Sequence, residues 1–220
     1  MVVPVYRNEA TLNALAASIS SALADQPWRL RLVVDGSPDA SLSVARQLAE
    51  ADPRIAVTDL AVNLGQHRAL TRGLAHEPTA SAWACLDADL QDPPEALPVL
   101  LERLSAGDVA AVFAGRCGAY ETAARLTTGQ LHRRLLARLT GLPLDAGAYV
   151  VLGPEARRAV LALGGPSIVA GIGISGVPTT SIPVARSARP VGPSAWTSTA
   201  RLRQSARTLI WAAARRARAG

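Results

Sequence analysis

The chain has 220 residues, 49% of them hydrophobic, with 23 basic residues against 17 acidic ones and a formal charge of +6. That length suits one α/β domain with a full core, and the composition excludes a disordered chain. No run of about 18 apolar residues occurs, so no membrane-crossing helix is expected. Met1 leads directly into Val2-Val3-Pro4-Val5 without a basic leader or cleavage signal, so a cytoplasmic location is expected. All the Lys/Arg positions are Arg, which grips phosphate in a two-pronged fashion. Charge alone leaves nucleic acid, an anionic membrane and a phosphorylated substrate open. Aromatic residues are only 4%, which argues against a base-stacking nucleic-acid surface. Cys85 and Cys117 have no metal-ligand spacing and read as buried thiols.

In chain order, Val2 to Tyr6 reads as a buried strand. Glu9 to Ala24 reads as an amphipathic helix on Leu12, Leu15, Ala16, Ile19 and Leu23. Leu30 to Asp35 is a second strand. Asp39 or Ser41 caps a helix that runs to about Asp52. Ile55 to Leu60 is the third strand, Gln66 to Ala75 a helix, and Ser81 to Leu86 the fourth strand. Pro94 to Ala106 is a helix with Pro at its start, and Val109 to Ala114 the fifth strand. Thr122 to Thr140 reads as an Arg-dotted helix, Leu144 to Leu152 as loop and strand, and Gly153 to Leu163 as a short helix. The stretch Gly171 to Gly176 reads as a loop or helix break, and Val177 to Val184 as a strand. Arg186 to Ser194 reads as a mobile loop, and Thr197 to Arg218 as a basic helix with Leu202, Leu209, Ile210 and Trp211 apolar.

This alternation predicts a doubly wound, mainly parallel α/β sheet, whose ligands bind beyond the carboxyl ends of the strands. Polar residues gather at those ends: Tyr6 to Glu9, Asp35 to Ser37, Asn63 to Gln66, Asp87 to Asp92, and Gly115-Arg116. Asp87 and Asp89 stand two apart just past a buried strand. With the Gln91 amide they make a hard-oxygen set suited to Mg²⁺ or Mn²⁺ bridging a diphosphate. An isolated Asp-x-Asp is most often a solvated turn; the strand before it and Asp92-Pro93-Pro94-Glu95 after it favour the metal site. Asp35 suits either a nucleobase or ribose contact or a plain turn. The His67, His76 and His132 side chains lack ligand-spaced partners. No Gly-x-Gly-x-x-Gly follows the first strand, and no Walker loop is present.

Five segments together resemble glycosyltransferase family 2, and within it the polyprenyl-phosphate sugar transferases. They are Val3-Pro4-Val5-Tyr6-Arg7-Asn8-Glu9, Val34 to Asp39 (VDGSPD), Asn63 to Gly73 (NLGQHRALTRG), Leu86 to Glu95 (LDADLQDPPE) and Arg189 to Ser194 (RPVGPS). The resemblance implies a GT-A fold, a UDP- or GDP-sugar donor, a divalent metal and inversion at the anomeric carbon. It implies that Pro4, Tyr6, Glu9 and Asp35 hold the nucleoside. Asp87, Ala88, Asp89 and Gln91 would meet the metal and diphosphate. Arg116 and Arg125 would grip an acceptor phosphate, and Arg189 and Ser194 would sit in an acceptor loop. Asp145 resembles an Asp that faces the reacting centre, though beside Gly147 it reads equally as a turn residue; a phosphate acceptor hardly needs a base, and for a hydroxyl acceptor Asp145 and, after it, Asp92 are the candidates.

A single GT-A domain is expected: residues 1–115 bind the donor, 116–195 the acceptor, and 196–220 form the basic helix. Val34, Val151 and Ala195 depart from the family pattern, and the carboxy-terminal membrane helices of many relatives are not expected here. The expected acceptor is a polyprenyl phosphate, with peripheral contact at an anionic membrane through the basic helix. A soluble small-molecule acceptor is the alternative. A non-catalytic nucleotide or nucleic-acid binding protein is the rival of another class, though no nucleic-acid partner is expected.

Overall fold

A computed structural model gives the fold and describes residues 1–117, 123–186 and 198–218. Among these residues, seven strands form one sheet: β1 (Val2–Val5), β2 (Leu30–Asp35), β3 (Ile55–Leu60), β4 (Trp83–Cys85), β5 (Ala111–Cys117), β6 (Val150–Leu152) and β7 (Thr179–Ala185). Their order is β3-β2-β1-β4-β6-β5-β7. Every pairing is parallel except those of β6, which runs against both β4 and β5. The strand order turns at β1, so the crevice between the ends of β1 and β4 is the topological switch point.

Among the described residues, eight helices flank the sheet: α1 (Leu12–Ala22), α2 (Ser41–Ala51), α3 (Gln66–His76), α4 (Leu97–Ser105), α5 (Ala123–Thr140), α6 (Pro154–Leu163), α7 (Ile168–Ser175) and α8 (Ser198–Ala217). A 3-10 turn, Pro94–Ala96, leads into α4. Two apolar layers result. One packs α1, α2 and α4 on Val3, Val5, Leu32, Val34 and Val112; the other packs α3, α5, α6, α7 and α8 on Val2, Val33, Phe113 and Val150. Adjacent residues of β1 and of β2 thus serve opposite layers. That is the period-two geometry of a strand buried on both faces, and it explains why these runs are apolar without alternation.

The observed elements shift some expected boundaries. The first helix begins at Leu12, not Glu9, because the Thr11 amide closes a turn on the Asn8 carbonyl at 3.0 Å. Neither Asp39 nor Ser41 caps α2: the cap position is Ala40, which offers no side-chain acceptor, and Asp39 Oδ1 accepts the Ser41 amide at 3.2 Å in the turn that leads into the helix. The Gly171–Gly176 stretch is not a break. It lies largely in α7, where Ser167 accepts the Ala170 amide and Gly176 ends the helix in the left-handed conformation. Small residues here permit close packing, since a Cβ on Gly173 would lie 2.5 Å from the Thr140 Cβ.

No single helix among the described residues is long and apolar enough to cross a membrane. The apolar pair α6 and α7, bent by 107°, is placed in the second core layer. In α8, Leu209 and Trp211 pack on that layer, whereas Leu202 and Ile210 are 62% and 70% exposed. The expected apolar stripe is therefore divided between core and surface.

Much of the arginine is structural. Arg157 donates Nε and a terminal nitrogen to the Leu74 carbonyl near the end of α3 and lies over the Trp83 ring. Arg54 pairs with Asp52 and lies 4.0 Å from the Trp28 ring centre. Cys85, in the middle of the sheet, is a free thiol, and burial pushes it up to about 12. It therefore stays protonated at neutral pH and is a poor nucleophile. In a Cys117→Ser background we expect no labelling by a thiol-directed alkylating reagent until denaturant unfolds the chain; labelling at the native rate of a free thiol would contradict this burial.

Candidate functional site

The polar residues expected at the strand ends form one connected cluster. Asp35, at the end of β2, accepts the backbone amides of Leu64 and Gly65 on its two oxygens, at 2.7 and 2.8 Å. It thereby fixes the start of α3, where a negative charge also meets the positive end of the helix dipole. Gly65 has φ +90, a backbone conformation that favours glycine. From the first residue of α3, Gln66 donates Nε2 to Asp87 Oδ1 in a very short contact. Asp35 thus acts on the site through the loop it holds, and its 2% exposure places it beneath that loop rather than in the open crevice. Replacing Asp35 with Ala should cost about 2–3 kcal/mol, the scale of hydrogen bonds to a buried charged group. Denaturant unfolding would read this; a change below about 0.5 kcal/mol would argue against the anchoring role.

The Asp87-Ala88-Asp89 turn is held from three sides. Thr11 Oγ1 donates to the Ala88 carbonyl at 2.7 Å. Leu90 takes φ +61, a left-handed conformation that costs a non-glycine residue about 1 kcal/mol. This sharp reversal lets Asp89 Oδ1 accept the Gln91 amide at 3.1 Å. Asp92 Oδ2 accepts the Asp87 amide at 3.2 Å, while its Oδ1 meets Arg186 Nε at 2.8 Å. Arg186 follows β7, and its terminal nitrogen lies 3.7 Å from Asp87 Oδ2. Tyr149, just before β6, donates its hydroxyl to the Pro93 carbonyl at 2.9 Å. Burial first, then Asp92 and Glu95, raise that phenol, so it remains a donor.

Asp145 lies ahead of β6 on the same edge of the sheet. Its Oδ2 accepts the Ser181 hydroxyl at 3.1 Å, and it sits against Gly115, where a Cβ would come within 2.0 Å of that oxygen. Asp145 is half-buried, whereas the Asp92 side chain is only 3% exposed and engaged on both oxygens. Of the two candidate bases, Asp145 has the access and Asp92 has the geometry of an anchor.

On the first strand's side, Tyr6 donates its amide to Asn8 Oδ1, and the Glu9 carboxylate accepts the Ala40 amide at 2.7 Å. Pro4 lies within β1, paired with Val33. The side chains of Arg116 and Arg125, and all of Arg189 and Ser194, lie outside the described residues.

Among the described residues no three His, Cys, Asp or Glu side chains converge as a metal cage. Two carboxylates without nitrogen or sulfur donors are nonetheless the chemistry that suits Mg²⁺ or Mn²⁺ sharing its coordination with substrate phosphates. A separate cleft of about 690 Å³, lined by Ser81, Glu102, Asp108, Glu155 and Pro178 among others, opens at the amino end of the parallel strands, away from this cluster.

A mainly parallel sheet with one reversed strand, and carboxylates gathered at its switch point, is the GT-A architecture. The sequence profile described as Glycosyl transferase family 2 matches residues 1–147, and the chain belongs to that family. It is 32% identical over 155 residues to the uncharacterized glycosyltransferase YkcC of Bacillus subtilis (strain 168), covering 68% of this chain and 47% of that protein. It is 33% identical over 145 residues to the undecaprenyl-phosphate 4-deoxy-4-formamido-L-arabinose transferase of Klebsiella pneumoniae (strain 342), covering 64% of this chain and 43% of the relative. A bactoprenol glucosyl transferase of Shigella phage SfX is 35% identical over 109 residues, or 49% of this chain and 35% of that one. The chain thus spans less than half the length of these relatives.

Among solved structures, the glucosyl-3-phosphoglycerate synthase of Mycobacterium tuberculosis, in complex with Mn²⁺, UDP and phosphoglyceric acid, superposes with a TM-score of 0.72. The identity is 20%, over 98% of this chain and 77% of the other, and the likeness concerns the fold.

Sequence reading did not single out Gln66, Gly115, Tyr149, Ser181 or Arg186 as individual site residues. Gln66 and Gly115 lay in strand-end segments already marked as polar. Arg186 was hidden in a Pro- and Arg-rich stretch, where only the partner across the sheet reveals its part.

Proposed function

We propose that this chain transfers a sugar, with inversion, from a UDP- or GDP-sugar to a polyprenyl phosphate. The observation that carries the proposal is the placement of Asp87 and Asp89 at the switch-point crevice, on a turn braced by Thr11, Gln66 and Asp92. Asp87 and Asp89, with the Gln91 amide nearby, are the residues to hold Mg²⁺ or Mn²⁺. Such an ion supplies charge neutralisation for the departing diphosphate. The crevice wall from Pro4 and Tyr6 to Glu9 takes the nucleoside, and Arg116, Arg125, Arg189 and Ser194 serve the acceptor. Asp145 faces the reacting centre. A phosphate acceptor is already ionised near neutral pH and needs orientation more than a base.

The acceptor class is supported by two of these relatives, whose names carry undecaprenyl phosphate and bactoprenol. A surface suited to anionic lipid supports it further. The neighbouring helices α5 and α8 carry Arg and no Asp or Glu. They expose Leu131, Leu135, Leu202 and Ile210. Apolar side chains flanked by cations suit a helix lying at a bilayer interface.

The function is tested by a thermal-shift panel of UDP- and GDP-sugars with and without Mn²⁺, since a ligand that binds the native state raises the midpoint by mass action. A metal-dependent rise with one nucleotide class is expected; no response to any donor would defeat the proposal. Acceptor assays then compare polyprenyl phosphate with soluble phosphates and alcohols. Co-sedimentation with vesicles rich in anionic phospholipid should occur at low salt and fade as salt is raised. Binding that ignores lipid charge would remove the membrane part of the reading.

A further inference from the structure

We infer that Arg186 is a positioning residue that makes the aspartate turn selective for a metal–diphosphate pair over a free metal ion. The inference rests on the donor site proposed above. Arg186 is nearly buried, with 7% of its side chain exposed, and its Nε lies 2.8 Å from Asp92 Oδ1, an ion-pair contact without hydrogen-bond alignment. That anchor leaves its terminal nitrogen 3.7 Å from Asp87 Oδ2, an ion-pair distance longer than a hydrogen bond. A fixed guanidinium so close to Asp87 acts on both ligands of the site with opposite sign. It repels a divalent cation approaching Asp87 and attracts the diphosphate that comes with the donor. Burial limits screening by water and salt, so the effect is not reduced to that of a surface charge. Asp92, itself buried, keeps the guanidinium from closing fully onto Asp87. The pair therefore sets both the place and the reach of the positive charge.

The test is a pair of binding constants. One is for Mn²⁺ alone, followed by the electron-spin resonance of the free ion; the other is for UDP or GDP at saturating Mn²⁺, measured by titration calorimetry. Arg186→Gln should tighten Mn²⁺ alone about tenfold and weaken the nucleoside diphosphate about tenfold, a modest share of the Coulomb effect expected at these separations. Arg186→Lys keeps the charge and should hold both constants within about threefold of wild type. Asp92→Asn keeps the cation and removes its buried partner, so it should weaken Mn²⁺ alone without weakening the diphosphate. A merely structural Arg186 would move both constants the same way. Parallel losses in Arg186→Gln and Asp92→Asn, or no change in either, would overturn the inference. If wild type binds neither Mn²⁺ nor a nucleoside diphosphate, the donor-site reading fails instead.

Discussion

Replacing Asp89 with Ala is expected to abolish metal-dependent transfer, lowering turnover by at least about 10³-fold, because metal stabilisation of the leaving group contributes several kcal/mol. Asp89→Asn should lose nearly as much. Asn can still accept the Gln91 amide that Asp89 Oδ1 now accepts, so the turn is preserved while the charge is removed. The comparison separates lost charge from lost turn. Nucleotide release from the donor, followed across a Mn²⁺ titration, reads the effect, with the thermal midpoint as a check on folding. Metal-dependent turnover persisting in both variants would show that this aspartate does not serve the ion.

The second large effect is expected on the other flank of the crevice. Asp145→Ala and Gly115→Ala should each reduce turnover about 10²-fold while leaving the affinity for UDP or GDP within about threefold. Gly115→Ala acts without touching the carboxylate chemically. A Cβ there would stand 2.0 Å from Asp145 Oδ2, so the side chain must leave its place beside Ser181. A displacement of this kind is costly when reacting groups must be aligned. With a phosphate acceptor the loss comes from misalignment alone. With a hydroxyl acceptor the missing proton acceptor adds to it, so a markedly larger loss on alcohols than on phosphates would mark Asp145 as a base. Steady-state kinetics on both acceptor types, beside nucleotide titrations, distinguish these outcomes. Unchanged turnover in both variants would remove Asp145 from the reacting centre.

The first half of the chain was legible in the sequence because its signals are local. Val2 to Val5, Leu30 to Asp35 and Ile55 to Leu60 are short apolar runs ended by polar turns, and each became a parallel strand. Asp87 and Asp89 could be placed from the strand before them alone. The second half was less legible because its logic is between elements. A three-residue strand such as Val150–Leu152 has too little sequence to declare its direction, which is fixed by pairing with Cys85 on one side and Phe113 on the other. Gly171 and Gly173 weaken any helical signal, yet α7 forms because close approach to Thr140 and Leu142 rewards the missing side chain. Asp92 read as a possible base because sequence shows its carboxylate and not the guanidinium that covers it. Asp35 read as either a ligand contact or a plain turn, and its hold on the α3 loop was invisible because its backbone partners Leu64 and Gly65 lie 29 and 30 residues away.

The reversed strand has an evolutionary corollary. Because β6 runs against its neighbours, the stretch that precedes it, with Asp145 and Tyr149, arrives at the working edge on its way into the sheet, whereas the parallel strands deliver their residues on the way out. On the function proposed above, chain inserted or exchanged ahead of β6 would remodel the acceptor side without disturbing the β1–β2–β3 side. A lineage could thus change what it decorates while keeping what it spends.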